Sequence, residues 1–154
     1  MEFMEGKKSL PLTYDPFFKK IFNPDIYPER LSRLISSIIG TNVTVKYILS
    51  NEYSMLPSTS LLLLDIIVQL EDGSIANVEI QKNPYTFPGE RMSCYSADLL
   101  LRQYTRVKSK LGKDFTYKDM RTVYTIVMYE KSPNECLKDR FANIYLHHGK
   151  TIFD

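Results

Sequence analysis

Cysteine is scarce in this chain. There are two, Cys94 and Cys136, and their spacing matches no paired pattern. That excludes a disulfide framework and a cysteine-built metal site, and it fits a reducing compartment. Long hydrophobic runs are also missing. The longest plainly apolar run, Leu61 to Leu64, falls far short of the roughly 20 residues that a membrane helix needs. Met1 to Ser9 is mostly polar and charged and lacks the apolar centre of a signal peptide, so none is expected. No repeat and no low-complexity segment stands out. A large excess of one sign of charge is missing too, with 20 Lys and Arg against 18 Asp and Glu. The formal net charge of +2 is too small to argue for any partner, which leaves only local clusters to carry such an argument. The expected location is the cytoplasm.

What remains is ordinary for a soluble globular protein. The 154 residues are 44% hydrophobic and 25% charged, enough for one domain with a single core. Within that domain, the stretch Leu61 to Gln81 carries most of the information. Two β-prone runs flank the turn signal Glu71-Asp72-Gly73, which reads as a hairpin. Asp65, Gln69, Asn77, Glu79 and Gln81 interrupt the apolar runs, and a carboxylate among Leu, Ile and Val is costly to bury without a partner.

The register follows from the turn. A three-residue loop with Gly73 in the left-handed conformation sets Leu70 opposite Ser74. Asp65 then falls opposite Glu79, and Leu63 opposite Gln81. One face carries Leu62, Leu64, Ile66, Val68, Leu70, Ser74, Ala76, Val78 and Ile80. The other carries Leu63, Asp65, Ile67, Gln69, Ile75, Asn77, Glu79 and Gln81. A two-residue Asp72-Gly73 loop would shift the pairing by one and scatter the polar groups over both faces, so the first register is preferred. Opposed carboxylates repel unless a proton or a cation lies between them. Oxygen ligands alone point to Mg²⁺ or Mn²⁺ rather than zinc. A solvated hairpin face with incidental acids is the alternative.

Around the hairpin, the chain reads as follows. Met1 to Thr13 is expected to be an arm. Asp15-Pro16 opens a short helix, with Asp15 as N-cap and Pro16 at its first position; Phe17, Phe18, Ile21 and Phe22 form its apolar side, Lys19 and Lys20 its wet side. A second helix runs from Pro28 to Ile39 and stops at Gly40, with Leu31, Leu34, Ile35, Ile38 and Ile39 on one stripe; Arg30, Ser32, Arg33 and Ser36 lie off it. Val43 to Leu49 reads as a strand, and Lys82 to Gly89 as a turn-rich connection. A long helix from Glu90 to Leu111, ended by Gly112, carries Arg91, Tyr95, Asp98, Arg102 and Arg106 as one polar stripe, with Met92, Leu99, Leu100 and Val107 on a different side. That stripe either holds phosphate or is a solvated face. Val123 to Tyr129 is a further strand. Glu135 to Arg140 reads as a short helix or loop, and strand pieces flank His147-His148. Neighbouring strand residues point oppositely, so the two histidines are not expected to share a metal. With no closing element before Asp154, the sequence is expected to be a piece of a longer protein.

The order helix, strand, strand, strand, helix, strand resembles the PD-(D/E)XK nuclease superfamily, most closely its transposase-associated, recombination-promoting branch. Asp15-Pro-Phe-Phe-Lys-Lys-Ile-Phe22 is similar to the opening signature of that branch. Leu64-Asp65 resembles the first acidic motif, Asn77-Val-Glu-Ile-Gln81 the second, and Arg91 followed by Tyr95 the helix signature. The resemblance covers roughly residues 13 to 130. It implies an α/β (α+β) fold, a restriction-endonuclease-like αβββαβ core with a mixed central sheet flanked by helices, between an arm at 1–12 and an extension at 131–154. It also implies a magnesium-dependent DNA endonuclease. Carried over by position, Asp65 and Glu79 would hold the metal with the Ile80 carbonyl, and Asp15 would lie near the site. Gln81 stands where most of the superfamily has Lys, and it brings no positive charge. Lys19, Arg91 and Tyr95 become phosphate- or water-positioning groups, and Lys19, Lys20, Arg91, Arg102 and Arg106 the basic surface for DNA. DNA is thus the expected partner and a membrane is not; a homodimer is left open. The alternatives are a nuclease-fold DNA-binding module with weak or lost catalysis and a structural, oligomer-forming protein.

Overall fold

The computed structural model describes residues 11–49, 66–82 and 88–131. Asp65, the connection at 83–87, the segment 135–140 and the His147-His148 pair lie outside the described residues. The elements run α1 (Asp15–Ile21), α2 (Pro28–Ile39), β1 (Val45–Ile48), β2 (Ile66–Leu70), β3 (Ile75–Gln81), α3 (Pro88–Leu111) and β4 (Val123–Tyr129), with two short 3₁₀ turns, Gly112–Asp114 and Tyr117–Asp119, before β4. The strands form one four-stranded sheet in the order β1-β2-β3-β4. The first two pairings are antiparallel and β3–β4 is parallel, so the sheet is mixed. Parallel neighbours need a crossover, and α3 supplies it. This is the expected restriction-endonuclease-like α+β arrangement.

The hairpin register is the one that the turn chemistry dictates. Ile66 pairs with Val78, Ile67 with Asn77, Val68 with Ala76 and Gln69 with Ile75. The Gly73 amide donates to the Leu70 carbonyl at 3.0 Å, and the Leu70 amide to the Ser74 carbonyl at 2.8 Å. Asp72 fixes the turn from its side chain, accepting from the Ser74 amide at 2.9 Å and the Ser74 hydroxyl at 2.8 Å. Gly73 has φ 89°, and a Cβ there would also sit 3.3 Å from Cγ of Arg121. The positive φ favours glycine, and the close Arg121 side chain would have to give way to any Cβ.

Each face of the sheet has its own cover. Ile66, Val68, Leu70, Ala76, Val78 and Ile80 form the first face and pack with Phe18 of α1, Leu31 and Ile35 of α2, Val45 and Ile126. Each large side chain buried here contributes about 1.5–3 kcal/mol. The second face, with Ile67 and Ile75, lies under Tyr95 and Leu99 of α3. β3 lies between β2 and β4 and between both layers of helix, and only its last residue, Gln81, is not fully buried.

Three expectations shift in detail. Asp15 is the first helical residue of α1 rather than its N-cap; Tyr14 holds the cap position, and no side-chain cap bond forms. Ser32 and Ser36, off the apolar stripe of α2, hold the start of β1 and the segment leading into it. The Ser32 hydroxyl accepts from the Val45 amide and the Ser36 hydroxyl from the Val43 amide, both at 2.9 Å. The largest change concerns α3. Its polar stripe turns to the sheet together with Leu99, while Leu100 and Leu101 are exposed; Tyr95, Asp98, Leu99 and Gln103 are buried.

Candidate active site

The site begins on β3. Alternation along the strand turns Asn77, Glu79 and Gln81 to the α3 side, opposite the apolar cluster that takes Val78 and Ile80. α3 runs back along the sheet from the Gln81 end, so its first turns lie over the end of β3. Ser96 fixes the helix laterally through a 2.7 Å bond between its hydroxyl and that of Thr125 on β4. Gln103 fixes the far end, its Oε1 accepting from the Arg121 amide at 2.7 Å.

Glu79 is only 1% exposed, yet its carboxylate is engaged. The Tyr95 hydroxyl donates to Oε1 at 3.2 Å, and the Gln81 amide donates to the same oxygen. Nε of Arg91 donates to the Tyr95 hydroxyl at 2.6 Å, with the guanidinium carbon 5.1 Å from the ring centroid. The four side chains form one chain, Arg91 to Tyr95 to Glu79, with Gln81 joining at the carboxylate. Burial, and then the Glu79 charge, push the Tyr95 phenol well above the ordinary tyrosine range, with Arg91 opposing. The phenol therefore stays protonated and acts as donor to the carboxylate.

Two further polar groups lie under α3. Asn77 is completely buried, and neither of its side-chain heteroatoms has a hydrogen-bond partner among the described residues. An amide in that state costs about 1–3 kcal/mol, so its place beside Glu79 needs a reason. Asp98 is bridged by Nη2 of Arg102 at 2.6 Å. Sequence reasoning singled out Asn77 as an odd polar residue but gave it no role, and it passed over Gln103. The available signal for Asn77 was its same-face spacing with Glu79.

Of the residues expected at the site, Glu79, Gln81, Arg91 and Tyr95 come together. The Ile80 side chain belongs to the opposite core. The Gln81 carbonyl accepts from Glu130 beside β4, so strand alternation turns the Ile80 carbonyl the other way, toward β2. Asp15 and Lys19 lie on α1, bridged to each other at 3.0 Å. Just before that helix, the Thr13 hydroxyl bonds Glu130 at 2.9 Å, holding the start of α1 at the sheet end that carries Gln81. Lys20 is exposed. Arg102 is turned inward onto Asp98 with only 10% of its side chain exposed, and half-buried Arg106 lies about 16 Å along α3 from Tyr95. Among the described residues, no three His, Cys, Asp or Glu side chains cluster as a metal site, and no helix is long and apolar enough to cross a membrane.

Comparison with known proteins supplies one match. No curated protein and no solved structure matches the chain. The model of the family described as PD-(D/E)XK nuclease family transposase matches residues 12–151, past the expected core end at 130. With a mixed sheet crossed by α3 and a buried acid in the second acidic motif, the chain belongs to the PD-(D/E)XK nuclease family transposases.

Proposed function

We propose that the protein is a metal-dependent DNA endonuclease that hydrolyses phosphodiester bonds at the Glu79 end of β3. The observation that carries this reading is the Glu79 carboxylate, buried, oriented by Tyr95 and Gln81, and aimed into a polar layer instead of solvent.

The residues fit a hard divalent cation. The donors are oxygens, and the buried Asn77 amide, without a partner among the described residues, lies on the same face. Glu79 and the Ile80 carbonyl would hold Mg²⁺ or Mn²⁺ together with Asp65. The sequence register pairs position 65 with Glu79, and its described neighbour pair, Ile66 with Val78, follows that register. Magnesium takes one or two carboxylates and keeps several waters, so this thin ligand set suffices. When bound, the ion supplies a water of lowered pKa and neutralises charge on the phosphoryl oxygens. Tyr95 keeps the Glu79 carboxylate in place. Arg91, tied to Tyr95, brings a positive charge one hydrogen-bonded residue away from the acid for a DNA phosphate.

A second reading, a nuclease-fold DNA-binding module with weak catalysis, draws on Gln81. Its amide donates to Glu79, and it carries no charge to stabilise a phosphorane-like transition state. Cleavage of supercoiled plasmid separates the two. The endonuclease predicts nicking with Mg²⁺ or Mn²⁺ that disappears with chelator and in Asp65→Ala and Glu79→Ala. DNA binding without any nicking under either metal favours the binding module.

A further inference from the structure

The other end of α3 carries a second surface. Tyr104 from the helix and Phe115 and Tyr117 from the segment after it form an aromatic trio. Tyr104 and Phe115 meet edge to face at 5.3 Å, and Phe115 and Tyr117 at 5.6 Å. Tyr117 lies nearly parallel to Tyr104, 17° between planes and 6.2 Å between centroids. Tyr117 is nevertheless 78% exposed, so its ring is held on one side and open to solvent on the other. The turn that presents it is fixed. Thr116 donates to the Asp119 carboxylate through its amide at 2.7 Å and its hydroxyl at 2.9 Å.

Charge surrounds the trio. Six basic and two acidic side chains lie between Tyr104 and Arg121, a local net charge of +4 in a chain whose total is +2. Lys108 donates to the Tyr104 hydroxyl at 2.7 Å with its ammonium 5.1 Å from the ring centroid, and Lys110, Lys113, Lys118 and Arg121 are all exposed. One of the two acids, Asp119, is occupied in the turn.

We propose that this surface binds single-stranded nucleic acid, with an unpaired base stacked on the open face of Tyr117 and the lysines on the flanking phosphates. Every base has a flat π-face and every linkage a negative charge, so ordered rings within a basic field suit such a strand whatever its sequence. A duplex hides its base faces and can use only the lysines. An apolar protein partner would leave the +4 charge unmatched, and the charge therefore decides between the two. Tyr104 lies nine residues, roughly 14 Å, along α3 from Tyr95, so the surface is separate from the Glu79 site. The inference extends the DNA reading but does not depend on cleavage.

The test is fluorescence anisotropy with labelled oligothymidylate and a duplex of equal length, on the full chain in chelator, so that neither metal nor cleavage enters. Tyr117→Ala is expected to weaken single-strand binding about tenfold or more while changing duplex binding little. Tyr117→Leu keeps bulk against Tyr104 but no flat face and should behave like Ala; Tyr117→Phe should bind like wild type. Lys113→Ala with Lys118→Ala should lower affinity for both ligands and flatten the salt dependence. Wild-type single-strand affinity in both folded Tyr117→Ala and Tyr117→Leu overturns the proposal, as does an equal loss on duplex. Failure here leaves plasmid nicking untouched, and a protein that does not nick can still pass this test.

Discussion

The Tyr95 hydroxyl donates to Oε1 of Glu79 at 3.2 Å while accepting from Nε of Arg91 at 2.6 Å. One phenol thus joins the helix signature to the second acidic motif across the α3–β3 interface. Tyr95→Phe keeps the ring in its pocket and removes only the link. The loss of a hydrogen bond to a charged group costs about 1.5–3 kcal/mol of stability. If Glu79 holds a metal, the lost orienting contact also lowers metal affinity about 10–100-fold. Calorimetric titration of Mn²⁺ into both proteins measures the second effect; identical binding curves would show that Tyr95 has no part in positioning the acid.

Glu79→Gln probes the acid itself. The substitution retains size and removes a charge from a nearly inaccessible position. Without metal, the variant should melt at or above the wild-type temperature, because one costly desolvated carboxylate is gone. Mg²⁺ should raise the wild-type melting temperature by mass action and leave the variant unmoved. A variant that melts well below wild type in chelator would mean that Glu79 serves the fold rather than a ligand.

Asn77 offers the reverse comparison. With both side-chain heteroatoms buried and without partners among the described residues, Asn77→Leu should raise stability by about 1–3 kcal/mol in urea denaturation. Nicking should fall about 10–100-fold if the amide orients water or a ligand beside Glu79. A gain of stability with full activity would make Asn77 an unneeded polar residue.

The turn that carries Tyr117 depends on pH through Asp119. The Thr116 amide first, and then the Thr116 hydroxyl, hold the Asp119 carboxyl below its ordinary value of 3.8. A depressed folded-state value means that the carboxylate supports the turn above the ordinary range and loses that support as pH falls through the depressed value. Amide exchange at Thr116 should therefore be steady at neutral pH and rise, relative to intrinsic exchange, only below about pH 4. Asp119→Asn should exchange faster at neutral pH and lose the acid-side transition.

The hairpin, α2 and β4 were legible because local rules fix them. Gly73 set the turn, the turn set the register, and the register sorted the two faces. The bounds of α2 followed from Pro28 and Gly40, the latter left-handed at φ 74°. On α3, periodicity shows which residues share a face but not which face meets the sheet. Met92, Leu99, Leu100 and Val107 read as a side apart from the polar stripe, yet Leu100 is 47% exposed while Leu99 is buried together with Tyr95 and Asp98 of that stripe. The override is tertiary. Glu79 on the second face of β3 takes a hydrogen bond from Tyr95 of that stripe, and Leu99 joins the same buried cluster as Ile67 and Ile75. The aromatic trio was hidden for another reason: its members belong to different elements and meet only after the chain turns at Gly112.

Arg102 tests that inversion most directly. On an outward stripe it would meet DNA phosphates, and Arg102→Ala would flatten the salt dependence of binding by about one counterion while leaving the fold alone. Bridged to buried Asp98 at 2.6 Å, it should instead destabilise the protein by about 3–5 kcal/mol when removed, because the aspartate charge is left without its described counterion. That loss is a large part of the 5–15 kcal/mol typical of a domain, so a second variant is needed. Asp98→Leu with Arg102→Met removes both charges at similar volume and should fold near wild-type stability. Its duplex affinity and salt slope should equal those of wild type. A flattened slope in the stable double variant would return Arg102 to the DNA surface and undo the inward assignment of the stripe.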